Sequence, residues 1–186
     1  MSKLVIFDLD DTLLCADSEF HFTKYIVKQG MLDKDFYLKK IKLFDKDYRS
    51  GNLNFKDYMR FLLYPLIGKT KDEVDLLVSS FINSSKDILI DDLTFKLLEK
   101  HKKDDLLIAS GGLDFIVKGF ANYFEVDEFL GTKTEFVEDK VTGETVGEPN
   151  FDKGKLVDVL KWCKQKKVHL EEATFYTDSI HDLPLV

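Results

Sequence analysis

The stretch KLVIFDLDDT, residues 3–12, decides the fold of this chain. Its apolar run, Leu4 to Phe7, is β-branched at two positions, which is typical of a strand buried on both faces of a parallel sheet. The run leads into three aspartates, Asp8, Asp10 and Asp11. Charges at the end of a buried strand are unfavourable unless something neutralises them. Because Mg²⁺ prefers oxygen ligands and leaves room for phosphate, the stretch predicts a metal and phosphate site.

The order of elements after this stretch predicts the fold class. Residues 17–85 have the pattern of four helices, with helix-start signals at Asn54 and at the sequence TKDE of residues 70–73. Further strands are then expected at residues 106–109 and 173–177, alternating with helices. Such alternation implies right-handed crossovers and a parallel sheet.

The expected organisation is an α/β core with an insertion. Residues 1–14 and 86–186 should form the core, a Rossmann-like parallel sheet, and residues 15–85 an all-helical cap. Within the core, two short strands are expected to meet at a turn formed by Thr142 and Gly143.

Polar residues follow three of the predicted strands. Asp8 and Asp10 follow the first, Ser110 the second and Asp178 the last. Ligands of open parallel sheets bind beyond the carboxyl ends of the strands, so these side chains should converge. One carboxylate of the first pair can bind metal and attack phosphorus, while the other protonates the leaving group and later activates water.

Each candidate also has a plainer interpretation. Aspartates are common in solvated turns, and the Ser110-Gly111-Gly112 sequence suits an ordinary capped turn as well as an anion-binding loop. A lysine at the start of the helix near residues 152–166, either Lys155 or Lys153, can stabilise a phosphoryl group or be merely solvated. His181 is left out of the metal shell because Mg²⁺ prefers oxygen.

Composition excludes several functions. The chain has 186 residues, 44% of them hydrophobic, and a net charge of −7. An acidic surface argues against nucleic acid or an anionic membrane as partner, and no apolar stretch reaches membrane-spanning length. Cys15 and Cys163 are far apart in sequence, which favours reduced thiols and a cytoplasmic location.

The motifs together resemble the haloacid dehalogenase superfamily of phosphohydrolases. Four match in order: DLDDT at residues 8–12, Ser110, a lysine near position 155, and DSIHD at residues 178–182. The helical insertion is similar to the C1-type cap of subfamily IB. The sequences GNLNF at 51–55 and SGGLD at 110–114 resemble motifs of its phosphoserine phosphatase-like branch.

The resemblance implies a role for each matching residue. Asp8 would be the nucleophile, and Asp10 the general acid and base, with its backbone carbonyl on Mg²⁺. Thr12 would hold the loop near Asp10. The lysine is assigned to Lys155 by its distance from the last motif, with Lys153 left open. The remaining roles are phosphate binding by Thr12, Ser110 and Gly111, and Mg²⁺ binding by Asp8, Asp178 and Asp182.

Three positions depart from the branch. His181 stands where asparagine is usual and would contact phosphate. The acidic cap residue that grips a substrate ammonium aligns with Asp17, or with Glu19 after a small shift. The cap arginine that grips a substrate carboxylate aligns with Leu62, while Arg60 and Arg49 are near but not aligned, so phosphoserine itself is an uncertain substrate.

The resulting prediction is a Mg²⁺-dependent phosphatase that acts on a small phosphorylated metabolite through an aspartyl-phosphate. A phosphotransferase and a catalytically inactive binding or regulatory module remain as alternatives. The family usually continues beyond the last motif with another helix and strand. The strand at residues 173–177 is therefore expected to be an open edge through which copies of the chain can associate.

Overall fold

A parallel sheet forms the centre of the computed structural model, which describes residues 3–185. Its strands are β1 Leu4–Phe7, β2 Asp105–Leu113, β3 Glu128–Thr132, β4 Thr134–Val137, β5 Lys140–Thr145 and β6 Thr174–Tyr176. Four of them pair in the order β3-β2-β1-β6, all parallel, while β4 and β5 form a separate antiparallel hairpin. The predicted α/β class with a Rossmann-like sheet is confirmed.

Helices cover the sheet and fill the long connection between β1 and β2. They are α1 Ser18–Lys28, α2 Lys34–Arg49, α3 Phe55–Leu63, α4 Lys71–Leu89, α5 Asp92–Lys100, α6 Asp114–Tyr123 and α7 Lys153–Lys166. The first five lie in that connection, and α1 to α4 are the helices of the insertion. As expected, Asn54 caps α3, and Thr70 and Glu73 form a capping box at the start of α4.

Alternate side chains of β1 belong to two different cores. Val5 and Phe7 are buried in the larger core, which includes side chains of α1 to α4 and of α6. Leu4 and Ile6 point to the other face, where they pack with α7. This is the period-two pattern of a strand covered on both faces, and it explains why the run is apolar at every position.

The segment that enters the inserted helices and the segment that leaves them lie side by side. The backbone N–H of Cys15 donates to the carbonyl of Leu89 at 2.8 Å. Because α4 runs without interruption from Lys71 to Leu89, the predicted cap boundary at residue 85 falls inside this helix.

The β4-β5 hairpin differs from the expectation. Its turn lies at Glu138 and Asp139, which have φ angles of 48° and 63°, and not at Thr142 and Gly143. Gly143 lies within β5, where an added Cβ would come within 2.9 Å of Ile67. Gly143 also has a φ of 96°, so glycine is needed here for a backbone conformation inside the strand and not for a turn between strands.

Among residues 3–185, no helix is both long and apolar enough to cross a membrane.

Candidate active site

Asp8 lies directly after β1, at the carboxyl edge of the sheet. Its backbone N–H donates to the carbonyl of Tyr176 at 2.9 Å, which extends the β1-β6 ladder and holds the residue in place. The side chain is buried, and its Oδ1 accepts a 3.0 Å bond from Lys155 Nζ. Burial raises the pKa of Asp8 to about 6, although the Lys155 charge opposes this rise.

Lys155 is the buried lysine of the site. It is only 3% exposed, and its Nζ contacts Asp8 Oδ1 and, at 2.6 Å, Asp182 Oδ1. Lys153 begins α7 but is exposed to solvent. The geometry therefore favours the assignment of the site lysine to Lys155.

Asp182 lines the cavity beside the site lysine. Its Oδ1 contacts Lys155, and its Oδ2 accepts a 2.7 Å bond from Thr177 Oγ1. The carboxylate is almost fully buried. These contacts suit a residue that orients Lys155, and the part of Asp182 in a metal shell stays a prediction.

Asp10 lies in the loop Leu9–Leu13, where the chain turns away from the sheet. The turn requires Asp11 to adopt a φ of 52°, a conformation that aspartate tolerates better than most residues. Asp10 Oδ1 accepts a 2.7 Å bond from the backbone N–H of Ser18. Burial and the nearby Asp17 charge raise the pKa of Asp10 well above its usual range, which suits a carboxyl group that carries a proton.

Thr12 links the two acidic segments. Its hydroxyl accepts a 3.1 Å bond from the backbone N–H of Asp178 and lies 3.3 Å from Asp178 Oδ1. Thr12 is not among the residues that line the cavity. Its position therefore suits the support of the Asp178 loop, rather than the predicted phosphate contact or a bond near Asp10.

Ser110 and Gly111 lie where β2 stops pairing regularly with β3. The register shifts between Ala109 and Leu113, so the backbone bends towards the site. The backbone N–H of Gly112 donates to Ser110 Oγ at 3.1 Å, which leaves the Ser110 hydroxyl hydrogen directed elsewhere. With α6 beginning at Asp114, this bend has the donors and the helix N-terminus that suit a phosphate group.

Two acidic residues of the inserted helices face the same cavity. Asp17 caps α1, accepting a 2.7 Å bond from the N–H of Phe20. Glu19 is buried and accepts a 2.9 Å bond from the N–H of Leu113, across the boundary between insertion and core. Burial, together with the Asp17 charge, raises the pKa of Glu19 to about 8.

The cavity has a volume of about 510 Å³ and is lined by both the inserted helices and the core. Its acidic lining includes Asp8, Asp10, Asp11, Asp17, Glu19, Asp45, Asp178 and Asp182, and its basic lining Lys42, Arg49 and Lys155. The predicted phosphate-binding residues Ser110 and Gly111 line it as well. The chain therefore brings the strand-end residues and Asp17 to one space.

An aromatic cluster closes one side of this cavity. The rings of Phe55 and Phe151 stack with centroids 4.8 Å apart. His181 lies against Phe151 at 4.7 Å and against Tyr48 at 5.6 Å. These contacts join α2 and α3 to the core, and they give His181 a packing role that its place in the motif did not indicate.

Each of the three residues considered for binding a substrate carboxylate has a different role in the structure. Leu62 is buried in the larger core. Arg60 donates to Glu144 on the β4-β5 hairpin at 2.8 Å. Arg49 lines the cavity, but its Nε is shared between the two carboxylate oxygens of Asp45 at 3.0 and 3.1 Å.

The carboxylate oxygens of the acidic residues are the kind of ligand that Mg²⁺ prefers. Among residues 3–185, no three His, Cys, Asp or Glu side chains already stand close enough to form a metal shell. Mg²⁺ does not require such a shell, because it usually binds one or two carboxylates, several waters and the substrate phosphate. Asp8 and Asp178 offer carboxylates in the cavity, and Asp10 lies beside them.

The fold and the site together define a class of enzyme. A buried aspartate paired with a lysine at the edge of a parallel sheet, beside a bend that leads into a helix N-terminus, is typical of phosphoryl-transfer chemistry. A family model described as haloacid dehalogenase-like hydrolase matches residues 5–186. The chain therefore belongs to the haloacid dehalogenase-like hydrolase family.

Individual relatives agree with this assignment. A histidinol-phosphatase of Neisseria meningitidis is 29% identical over 192 residues, covering 100% of this chain and 86% of the relative. A probable phosphatase of Mycobacterium tuberculosis is 24% identical over 97% of the chain, which spans 64% of that protein. The predicted superfamily and the predicted enzyme class, a phosphatase, are confirmed.

Solved structures show the same fold. A Bordetella pertussis protein of unknown function superposes with a TM-score of 0.88 at 23% identity, covering 100% of this chain and 86% of that one. A substrate-bound phosphoserine phosphatase superposes with a TM-score of 0.69 at 19% identity, covering 98% and 80%.

Sequence reasoning missed one buried polar residue of the site. Asn150 is fully buried, and its side chain donates to the carbonyl of Ser110 at 2.6 Å. It lies in an irregular segment before α7. The proline before it and the lysines after it indicated only a connection, so no sequence signal pointed to its contact.

Proposed function

We propose that this protein is a Mg²⁺-dependent phosphomonoesterase that forms an aspartyl-phosphate on Asp8. The observation that carries the proposal is the buried contact of Asp8 with Lys155, next to the bend at Ser110. A nucleophilic carboxylate, a fixed cation and a phosphate-binding loop are the parts that phosphoryl transfer needs.

The first step uses Asp8 as nucleophile. A carboxylate oxygen of Asp8 forms a bond to phosphorus while the bond from phosphorus to the ester oxygen breaks. Lys155 offsets negative charge on the phosphoryl oxygens, and the Ser110 hydroxyl donates to one of them. The buried position of Asp8 keeps bulk water away from the carboxylate.

Asp10 supports both halves of the reaction. In the first half it gives its proton to the departing alkoxide, which leaves as an alcohol. In the second half it takes a proton from water, whose oxygen attacks phosphorus and releases Asp8 and inorganic phosphate. The raised pKa of Asp10 favours the proton that this step needs, and the bond from Ser18 orients the carboxyl group.

Asp8, Asp178 and the backbone carbonyl of Asp10 are the groups that would hold Mg²⁺. When bound, the ion offsets the charge of the phosphate and of the carboxylates around it. Thr12 positions Asp178 for this role through its bond to the Asp178 backbone.

The cavity supports a substrate that carries an amine. Asp17 lines the cavity and suits a substrate ammonium group, whereas Arg49 is paired with Asp45. The aromatic cluster of Tyr48, Phe151 and His181 provides flat surfaces for an uncharged ring. The Neisseria relative is a histidinol-phosphatase, so we propose a small amino-alcohol phosphate, with histidinol phosphate tested first and phosphoserine as the comparison.

A single assay series tests the function. The protein should hydrolyse a generic aryl phosphate, lose this activity in EDTA and regain it with Mg²⁺, and prefer histidinol phosphate to phosphoserine in kcat/KM. Glycerol phosphate formed in the presence of glycerol would instead identify the phosphotransferase alternative. A folded protein that turns over no phosphate ester with Mg²⁺ would support the inactive module and contradict the proposal.

We also propose a cytoplasmic location. Cys15 and Cys163 are both free thiols, as expected of a protein kept in reducing surroundings.

A further inference from the structure

The bend in β2 leaves two backbone carbonyls without their usual partners in the sheet. Regular pairing of β2 with β3 stops after Ala109 and resumes only at Leu113. Between them, the carbonyls of Ser110 and Gly111 need donors from elsewhere, because an unpaired buried carbonyl is unfavourable.

Two side chains supply these donors. Asn150 Nδ2 donates to the Ser110 carbonyl at 2.6 Å, and Thr132 Oγ1 donates to the Gly111 carbonyl at 2.6 Å. The backbone N–H of Asn150 donates to Thr132 Oγ1 at 3.0 Å, so the three bonds form one connected network. Asn150 and Thr132 are 0% and 1% exposed. Bonds in such a buried chain strengthen one another.

The segment that carries Asn150 also carries Lys155. It turns tightly, since Phe151 N–H donates to Pro149 O at 2.8 Å and Gly154 N–H donates to Phe151 O at 2.9 Å. A side chain at position 154 would collide with the Pro149 carbonyl, so the turn requires glycine there. The distance between Asn150 and the start of α7 is therefore fixed by the backbone.

We propose that Asn150 is a positioning residue, which with Thr132 sets the phosphate-binding bend at Ser110 relative to Asp8 and Lys155. This inference rests on the proposed function. One short rigid segment holds the bend through Asn150 at one end and the Asp8 nucleophile through Lys155 at the other. Neither Asn150 nor Thr132 lines the cavity, so both act through the residues that do.

Inhibition by inorganic phosphate tests the role most cleanly. The inhibition constant does not depend on the fraction of protein that is folded, so it separates positioning from a loss of stability. Asn150→Leu and Thr132→Val each remove a donor and introduce no charge. Thr132→Ser keeps the hydroxyl, and Asn83→Leu alters an exposed asparagine on α4.

We expect Asn150→Leu and Thr132→Val to raise the phosphate inhibition constant about tenfold. Their kcat/KM should fall on the order of 10²-fold, as for other misplacements of reacting groups. Thr132→Ser and Asn83→Leu should stay within about twofold of wild type. If Asn150→Leu does not fold, the Thr132→Val and Thr132→Ser pair decides.

Two outcomes distinguish a failure of the positioning role from a failure of the proposed function. Donor-removal variants with a wild-type inhibition constant and wild-type kcat/KM would overturn the positioning role while leaving the proposed function intact. A wild-type protein that neither turns over phosphate esters nor binds phosphate would contradict the proposed function itself, and the positioning role with it.

Discussion

At the scale of single residues, the site depends on one buried cation between two carboxylates. Lys155 contacts both Asp8 and Asp182, and all three are buried. Burial of charge is unfavourable unless the partners are present together. The orientation of Lys155 and the charge state of Asp8 are therefore properties of the group rather than of either residue.

Replacement of the two candidate lysines distinguishes their roles. Lys155→Met should lower kcat/KM on an aryl phosphate by about 10²- to 10³-fold and destabilise the fold by about 3–5 kcal/mol, because two buried carboxylates lose their cation. Lys153→Met, on the exposed start of α7, should change stability by less than about 0.5 kcal/mol. Kinetics and thermal unfolding of both variants provide the measurement, and a larger loss of activity for Lys153→Met would reverse the assignment.

Glu19 makes the stability of the protein depend on pH. Its pKa is raised from 4.5 to about 8 in the folded state. Between these values the folded chain holds a proton that the unfolded chain has released, so this group's contribution to stability falls as pH rises. The slope is at most about 1.4 kcal/mol per pH unit.

Unfolding of Glu19→Gln at several pH values tests this effect. The variant should gain stability relative to wild type as the pH increases from 5 to 8, because glutamine carries no proton to lose and still accepts from Leu113. Glu171→Gln, at an exposed position, serves as the control. A stability difference between Glu19→Gln and wild type that does not change across this pH range would refute the assignment.

At the scale of elements, the sequence correctly predicted the features that depend only on residues close together in the chain. The β1 run, the cap at Asn54 and the capping box at Thr70 were all predicted correctly, because each follows from side chains within one turn or strand. The hairpin turn was wrong because Gly143 has its positive φ of 96° inside β5, where it also approaches Ile67. Asn150 was missed because its partner Ser110 lies forty positions away.

The contact between α4 and α6 tests how the insertion is seated on the core. Gly119 on α6 faces Val78 on α4 so closely that an added Cβ would collide with it. Gly119→Ala should therefore destabilise the protein by about 1–3 kcal/mol, although alanine favours a helix by about 1 kcal/mol over glycine. Thermal and urea unfolding provide the measurement.

A second substitution controls this test. Val78→Ala removes the methyl groups that collide, so the double variant should recover part of the stability that Gly119→Ala loses. Additive effects of the two substitutions would show that α4 and α6 are not in close contact at Gly119.

At the scale of the whole molecule, the proposed substrate is an anion although the protein itself has a net charge of −7. Local features must therefore attract phosphate, and Lys155 with the bend at Ser110 provides them. The inserted helices are attached to the core at several places, including the Phe55-Phe151 stack, the Arg60-Glu144 pair and the backbone bonds between Gly68 or Lys69 and Val141. Movement of the inserted helices away from the core would break these contacts, of which the exposed Arg60-Glu144 pair is the weakest type.

The sequence was sufficient for the family and for the strand-end residues, since these follow from short motifs at the ends of strands. It did not indicate which side chains Asp182 and Thr12 contact. Their partners, Lys155 and Asp178, are set by how the last motif folds against α7 and against the loop after β1. Charge and spacing alone do not distinguish a metal ligand from a carboxylate that orients a lysine.

The covalent state of Asp8 during turnover tests the central claim most directly. Protein mixed with an aryl phosphate and Mg²⁺, quenched in acid and digested, should yield a peptide containing Asp8 that is heavier by one phosphoryl group. Asp8→Asn should stay folded, lack this peptide and lose turnover, while the exposed control Asp127→Asn should behave as wild type. Rapid turnover with no phosphoryl group on that peptide, or normal turnover by Asp8→Asn, would contradict the account.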